Sequence, residues 1–168
     1  MSTFNQSKAE VVRKYDAFAQ KFNEIYLAGT TRGRVAMSTA LDQASEQLTA
    51  AGEFTTAQGD ELKHFLSRDL DQTVADMRHM SEEAKIKLNP SRLAAGALSS
   101  ITRVLEASSE ALSKLSEKSR EQLTYSTGEM TSSGTLTCSA CEQTLYLKTT
   151  GHVPPCPKCA STAFTKSY

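Results

Sequence analysis

Apolar residues recur along the first three-quarters of the chain at alternating steps of three and four, the spacing that places them on one face of an α-helix. Between Asn5 and Ala28 the stripe is Val11, Tyr15, Phe18, Phe22 and Ile25. Gly29 and Thr30 interrupt it, and Thr30 or Thr31 is the expected N-cap of the next helix. A second, weaker stripe follows, of Met37, Leu41, Ala44 and Leu48, with Gly52 as its C-terminal stop. The third opens at Thr55 or Thr56. It runs through Leu62, Phe65 or Leu66, Asp69 or Leu70, Val74, Met77, Met80 and Ala84 to Leu88. Asn89-Pro90 breaks the pattern, and Asn89 can cap a fourth segment, Ser91 to about Leu123. Its seam is Leu98, Ile101, Leu105, Ser108, Leu112 and Leu115, preceded by the small residues Ala94 to Ala97, which allow close backbone approach.

Each of the later two helices would approach thirty residues, roughly 45 Å. Such lengths predict an elongated helical bundle or coiled-coil region rather than a round core. Seams this long also suggest a homodimer, against the alternative of a monomer whose first two helices fold back over the later pair.

The pattern changes after Leu123. Residues 124–133 are rich in Ser, Thr and Gly and read as a linker. Beyond them, short Thr-rich runs with β propensity predict three strands: Gly134 to Cys138, Gln143 to Thr149 and Thr162 to Lys166. The expected organisation is therefore mainly α. A helical region, 1–123, precedes a linker, 124–133, and a small C-terminal β ribbon, 134–168.

The four cysteines of the chain all lie in that last part, as Cys138, Cys141, Cys156 and Cys159. They read C-x2-C, fourteen residues, C-x2-C. Two residues between paired cysteines let both thiolates face one ion from a tight knuckle, and two knuckles complete a tetrahedron. Four thiolates leave no position for an activated water, so the expected role of a bound Zn2+ is structural. The ribbon's own apolar core is tiny, and metal would contribute most of its folding energy, on the order of 10–16 kcal/mol in small zinc domains. Iron in a rubredoxin-like site uses the same ligands, and two disulfides are the other reading of the spacing. His152, between the pairs, is read as a loop histidine.

Composition narrows the function less. Lys plus Arg equals Asp plus Glu at 19 each, so the formal net charge is zero. A nucleic-acid binder usually carries a clustered positive face, and no such cluster stands out. The polar start, Met1 to Glu10, holds no apolar leader, and no stretch is long enough to span a membrane. A cytoplasmic setting, where thiols stay reduced, follows as the expectation. His64 and His79 are about four helical turns apart and cannot share a metal. There is no phosphate loop, nucleophile elbow or H-E-x-x-H, so no enzymatic activity is expected.

Three stretches together resemble a known family. Gly52-Glu53-Phe54-Thr55 followed by Arg68-Asp69-Leu70 is similar to a G-E-[FLY]-T…R-D-L signature. Tyr125-Ser126-Thr127-Gly128-Glu129 is similar to a Y-x-x-G-E segment. Leu136-Thr137-Cys138 with Cys156-Pro157-Lys158-Cys159 is similar to an L-x-C-x-x-C…C-P-K-C ribbon. The combination resembles the YbeL-like bacterial zinc-ribbon proteins, a family of unknown function. The resemblance implies a cytoplasmic bacterial protein with helices first and a zinc ribbon last, the four cysteines as ligands, and no active site to carry over. Glu142 and Ala160 stand where zinc knuckles often have Gly, and Ala160 suggests a different turn there. The local reading of the first signature makes Gly52 a helix stop, Thr55 a cap, and Arg68 and Asp69 exposed charges.

Two functions follow as expectations. The first is a zinc-binding protein-interaction or scaffolding module with a protein partner. The second is a nucleic-acid-associated accessory factor of transcription or translation, with Lys148, Lys158 and Lys166 as a basic patch and Tyr146 or Phe164 as a stacking ring.

Overall fold

A computed structural model describes residues 8–79, 97–107 and 123–167, without the side chains of 77–79, 98 and 105–107. The expectations for Asn5, Met80 to Leu88, the Asn89-Pro90 break, the Ala94 to Gly96 run and the seam from Ser108 onward lie outside the described residues, as do the side chains of Met77, His79, Leu98 and Leu105. Four helical segments are described: α1 (Lys8–Ala28), α2 (Arg34–Ala50), α3 (Thr56–His79) and α4 (Ala97–Ala107). Six short strands follow: β1 (Tyr125–Ser126), β2 (Met130–Thr131), β3 (Gly134–Cys138), β4 (Thr144–Leu147), β5 (Gly151–His152) and β6 (Ala163–Ser167).

Helix α1 is the centre of the helical part. Tyr15, Phe18, Ala19 and Phe22 are fully buried, and the helix touches α2, α3 and α4. Val11 is buried as the stripe requires, Ile25 is only partly so, and Tyr26 joins the buried set. The second stripe holds throughout, with Met37, Leu41, Ala44 and Leu48 all buried. Ala44 buries little area itself but allows close packing of α2. Next to it, α2 and α3 approach so tightly at Gly59 that a Cβ there would lie 2.6 Å from Ser45 Oγ. On α4, Ala97, Ile101 and Val104 face the core. The described seams of α1, α2 and α3 are thus covered within one chain, while much of the later two seams, on which the homodimer expectation stood, lies outside the described residues.

The helix ends follow local chemistry. Neither Thr30 nor Thr31 caps α2; Gly33 does, with φ 107°, and no side chain bonds the first turn. Arg32 explains the displacement. Its guanidinium turns back to the C-terminus of α1, donating to the carbonyls of Tyr26, Gly29 and Thr31 and lying 5.2 Å over the Tyr26 ring. Cations favour that end of a helix. Gly52 ends α2 as expected. The N–H of Gly52 donates to Thr49 O and that of Glu53 to Leu48 O, the paired bonds of a Schellman motif. Thr55 caps α3 reciprocally with Gln58: Gln58 N–H donates to Thr55 Oγ1 at 3.3 Å, and Thr55 N–H to Gln58 Oε1 at 3.0 Å. Helix α4 takes its first partner from α1, because Ala97 N–H donates to Asp16 Oδ1 at 2.9 Å.

The three expected strands form antiparallel neighbours in a four-stranded sheet of order β1-β6-β3-β4. The fourth strand, β1, comes from the segment expected to be a linker. So does β2, which pairs with β5 in a second small sheet. The segment 124–133 is therefore folded into the ribbon. Its Ser, Thr and Gly residues supply turns and hydrogen bonds rather than slack: Thr127 N–H donates to Thr162 O, and Gly128 N–H to Val153 O. Tyr125 belongs to the ribbon core with Leu136, Cys138, Val153, Cys156 and Phe164. Met130 is buried in the helical core instead.

The left-handed position at Gly52 yields the first prediction. Its φ is +76° and nothing lies within 4 Å of an added Cβ, so only backbone conformation opposes a side chain. Gly52→Ala should cost about 1 kcal/mol of stability, read as a lower denaturant midpoint with an unchanged m-value and unchanged zinc content.

Candidate metal centre and the charged clamp beneath it

The two knuckles are built alike. Cys138 lies at the end of β3, and its carbonyl accepts the N–H of Glu142; Cys156 O accepts the N–H of Ala160 in the same way. Glu142 has φ 57° and Ala160 φ 58°. The turn expected to differ at Ala160 is therefore retained in both knuckles, with non-glycine residues held in a conformation that Gly adopts at lower cost. Cys138 N–H donates to Gln143 O and Cys156 N–H to Ser161 O, which close the two loops.

This geometry brings all four sulfurs within 4.8 Å of one another. Cys138 and Cys159 are 3.6 Å apart, as are Cys141 and Cys156, and all four are free thiols. A tetrahedral Zn2+ with Zn–S bonds of about 2.3 Å requires sulfurs about 3.8 Å apart. The donor set fits, and the four cysteines make a closed, structural zinc site. Burial opposes ionisation of Cys138, but N–H donation from Ala140 and Cys141 outweighs it and draws the thiol down to about 6. At Cys159, N–H donation from Ser161 favours the thiolate, yet the neighbouring sulfurs push the group up to about 12. Four negative sulfurs repel one another until a divalent cation holds them, so metal uptake releases protons. His152 is outside the group; its Nδ1 is 2.8 Å from Gly128 O.

Arg68 and Asp69 are not exposed charges. Both are buried where α3 meets the ribbon. Asp69 Oδ2 accepts the Tyr15 hydroxyl at 2.6 Å and Ser132 N–H at 2.7 Å, and Oδ1 accepts the Thr131 hydroxyl at 2.8 Å. Its counter-ion is Lys166 on β6, 3.6 Å away and equally buried. Lys166 Nζ donates to Thr131 Oγ1, Ser132 O and Ser132 Oγ at 2.7, 2.9 and 2.8 Å. Burial pulls the Lys166 ammonium down to about 8 against the attraction of Asp69. Burial works against the Asp69 carboxylate too, but Lys166 and the three donors hold its pKa below the usual value. Arg68 grips the adjoining strand pair: its guanidinium bonds Glu129 and Met130 O and lies 3.9 Å over the Tyr125 ring. Glu129 also accepts Ser126 N–H at 2.8 Å.

Two of the sequence signatures thus meet in space, Arg68-Asp69 of the first and Tyr125…Glu129 of the second. Sequence reasoning missed the meeting because a charged residue at a helical position defaults to solvent. The available signal was Asp69 standing inside the apolar stripe of α3. The burial of Lys166 and Phe164 also removes two members of the expected nucleic-acid surface; Lys148, Lys158 and Tyr146 stay exposed.

A profile of the zinc-ribbon containing domain family matches residues 27–167, and the chain belongs to that family. No curated protein and no solved structure matches it. The matched span takes in both the cysteine site and the clamp. Among the described residues no helix is long and apolar enough to cross a membrane.

Protein purified with zinc present should carry one equivalent per chain by metal analysis, and Cys156→Ser should fall below half an equivalent. Ala160→Gly should relieve the left-handed position and slow zinc loss to a chelator by a few-fold, while Ala160→Val should accelerate it.

Proposed function

We propose that this member of the zinc-ribbon containing domain family is a cytoplasmic, non-enzymatic protein-interaction or scaffolding module. The observation that carries the reading is the closed four-sulfur site. A metal with four thiolate ligands shapes a surface and activates nothing. The clamp supports the same reading, because it fixes the ribbon against α1 and α3 and so presents its outer parts in a defined orientation. Tyr146 on the edge strand β4 is 73 % exposed. An aromatic ring displayed on a rigid support is a common anchor of protein interfaces. Free thiols around a metal suit a reducing compartment.

The nucleic-acid reading is the weaker of the two. Of its three lysines, Lys166 is committed to Asp69, which leaves Lys148 and Lys158 as the exposed pair. Phosphate contacts by two lysines would give little affinity at physiological salt.

Affinity purification from native cells, with cross-linking and mass spectrometry, tests the proposal. A reproducible protein partner should be recovered, and Tyr146→Ala should reduce its recovery several-fold while zinc content is unchanged. Absence of any reproducible partner overturns the reading. Filter binding across a salt series should show no salt-dependent affinity for DNA or RNA; a steep salt dependence would favour the accessory-factor role instead.

A further inference from the structure

We propose that metal occupancy of the ribbon governs the order of the helical part, with Lys166 as the link. The inference is independent of what the protein's partner is. It begins with the strand that carries the lysine. β6 emerges from the second knuckle and lies between β1 and β3. Phe164 is in register with the ligand Cys138, and Lys166 with Leu136. The position of Lys166 is therefore set from both knuckles, from Cys156 and Cys159 along the chain and from Cys138 across the sheet.

The ribbon has little else to hold it. Its buried cluster is Tyr125, Leu136, Cys138, Val153, Cys156 and Phe164, and two of those six are ligands. A core of that size does not sustain a fold without a metal or a covalent staple. When the metal leaves, β6 and the β2 segment lose their support, and with them go Lys166, Thr131 and Ser132.

The consequence falls on Asp69. Its side-chain partners in the structure are Tyr15, Thr131, Ser132 and Lys166. Three of the four belong to the ribbon, and only Tyr15 of α1 stays. Among the described residues, the other buried charged groups on its own helix are Arg68, whose partners Glu129 and Met130 O also belong to the ribbon, and Asp76, which carries the same sign. Asp69, fully buried in the intact protein, then keeps one of its four partners. Removing one partner of a buried ion pair is strongly destabilising because the other charge is left uncompensated. Met130, fully buried in the helical core, vacates its place at the same time. The helices α1 and α3 meet both losses directly, so metal release loosens the packing of α1 on α3 as well as the ribbon.

Hydrogen–deuterium exchange on the full-length chain, with far-ultraviolet circular dichroism alongside, tests the link. In the wild type, a strong chelator should lower amide protection in α3 between Leu66 and Thr73 by about a hundredfold or more. Lys166→Met should show the same loss in α3 while still holding one zinc. Asp69→Leu combined with Lys166→Met removes both charges, so chelation of that double variant should change α3 protection by less than about tenfold. The proposal is overturned if wild-type α3 keeps its protection after chelation, or if zinc-loaded Lys166→Met is protected like the wild type. It is equally overturned if the double variant loses α3 protection on chelation as fully as the wild type does. Should Lys166→Met not fold, the wild-type and double-variant measurements decide by themselves.

Discussion

A carboxylate on a helix and an ammonium on a strand, both withdrawn from water, fix how this chain is put together. Asp69 and Lys166 are separated by almost a hundred residues, and each is tolerable in the interior only because the other is there. Isolated apolar contact between a bundle and a ribbon would permit sliding, since hydrophobic burial has no preferred direction. A pair whose every donor and acceptor is spoken for permits one arrangement. Tyr15 adds α1 to that arrangement, and Thr131 and Ser132 add the segment leading into β3. The ion pair need not add stability over an apolar replacement of equal volume. What it adds is a steep penalty for every other relative placement of the two parts.

The metal site and the clamp solve one problem at two scales. A ribbon of some forty residues cannot bury enough apolar surface to order itself. Four thiolates around one cation supply the local constraint, and they leave the ribbon's outer face free of structural duty. The helical part has its own core but carries a buried negative charge that it cannot neutralise from within. Each part thus supplies what the other lacks: the helices give the ribbon a docking platform, and the ribbon gives the helices a cation and the side chain of Met130.

Much of this was legible in the sequence because it depends on local pattern. Cys-x2-Cys spacing, the 3–4 stripes of α1 and α2, Gly52 as a stop and Thr55 as a cap all encode structure within a few residues of themselves, and all appear where the pattern placed them. The failures have a common cause in long-range contact. The segment 124–133 looked like a linker because Ser, Thr and Gly are turn formers. It is a pair of strands because β5 and β6, which lie far along the chain, offer their edges. Arg68, Asp69 and Lys166 looked solvated because a charge carries no sign of its partner. Arg32 displaced the expected cap of α2 by turning to the helix before it, a choice that composition does not reveal.

The position of the clamp also bears on where activity can reside. Arg68, Asp69 and Lys166 are all buried, and a buried charge often marks a catalytic site. Here every oxygen of Asp69 and all three protons of Lys166 are engaged by the protein itself. A catalytic carboxylate must be reachable by a proton it can accept from a substrate, and this one is occupied on all sides. The same holds for the sulfurs once a cation joins them. The clamp thus joins the helices to the ribbon, and the four sulfurs hold the ribbon's two knuckles together.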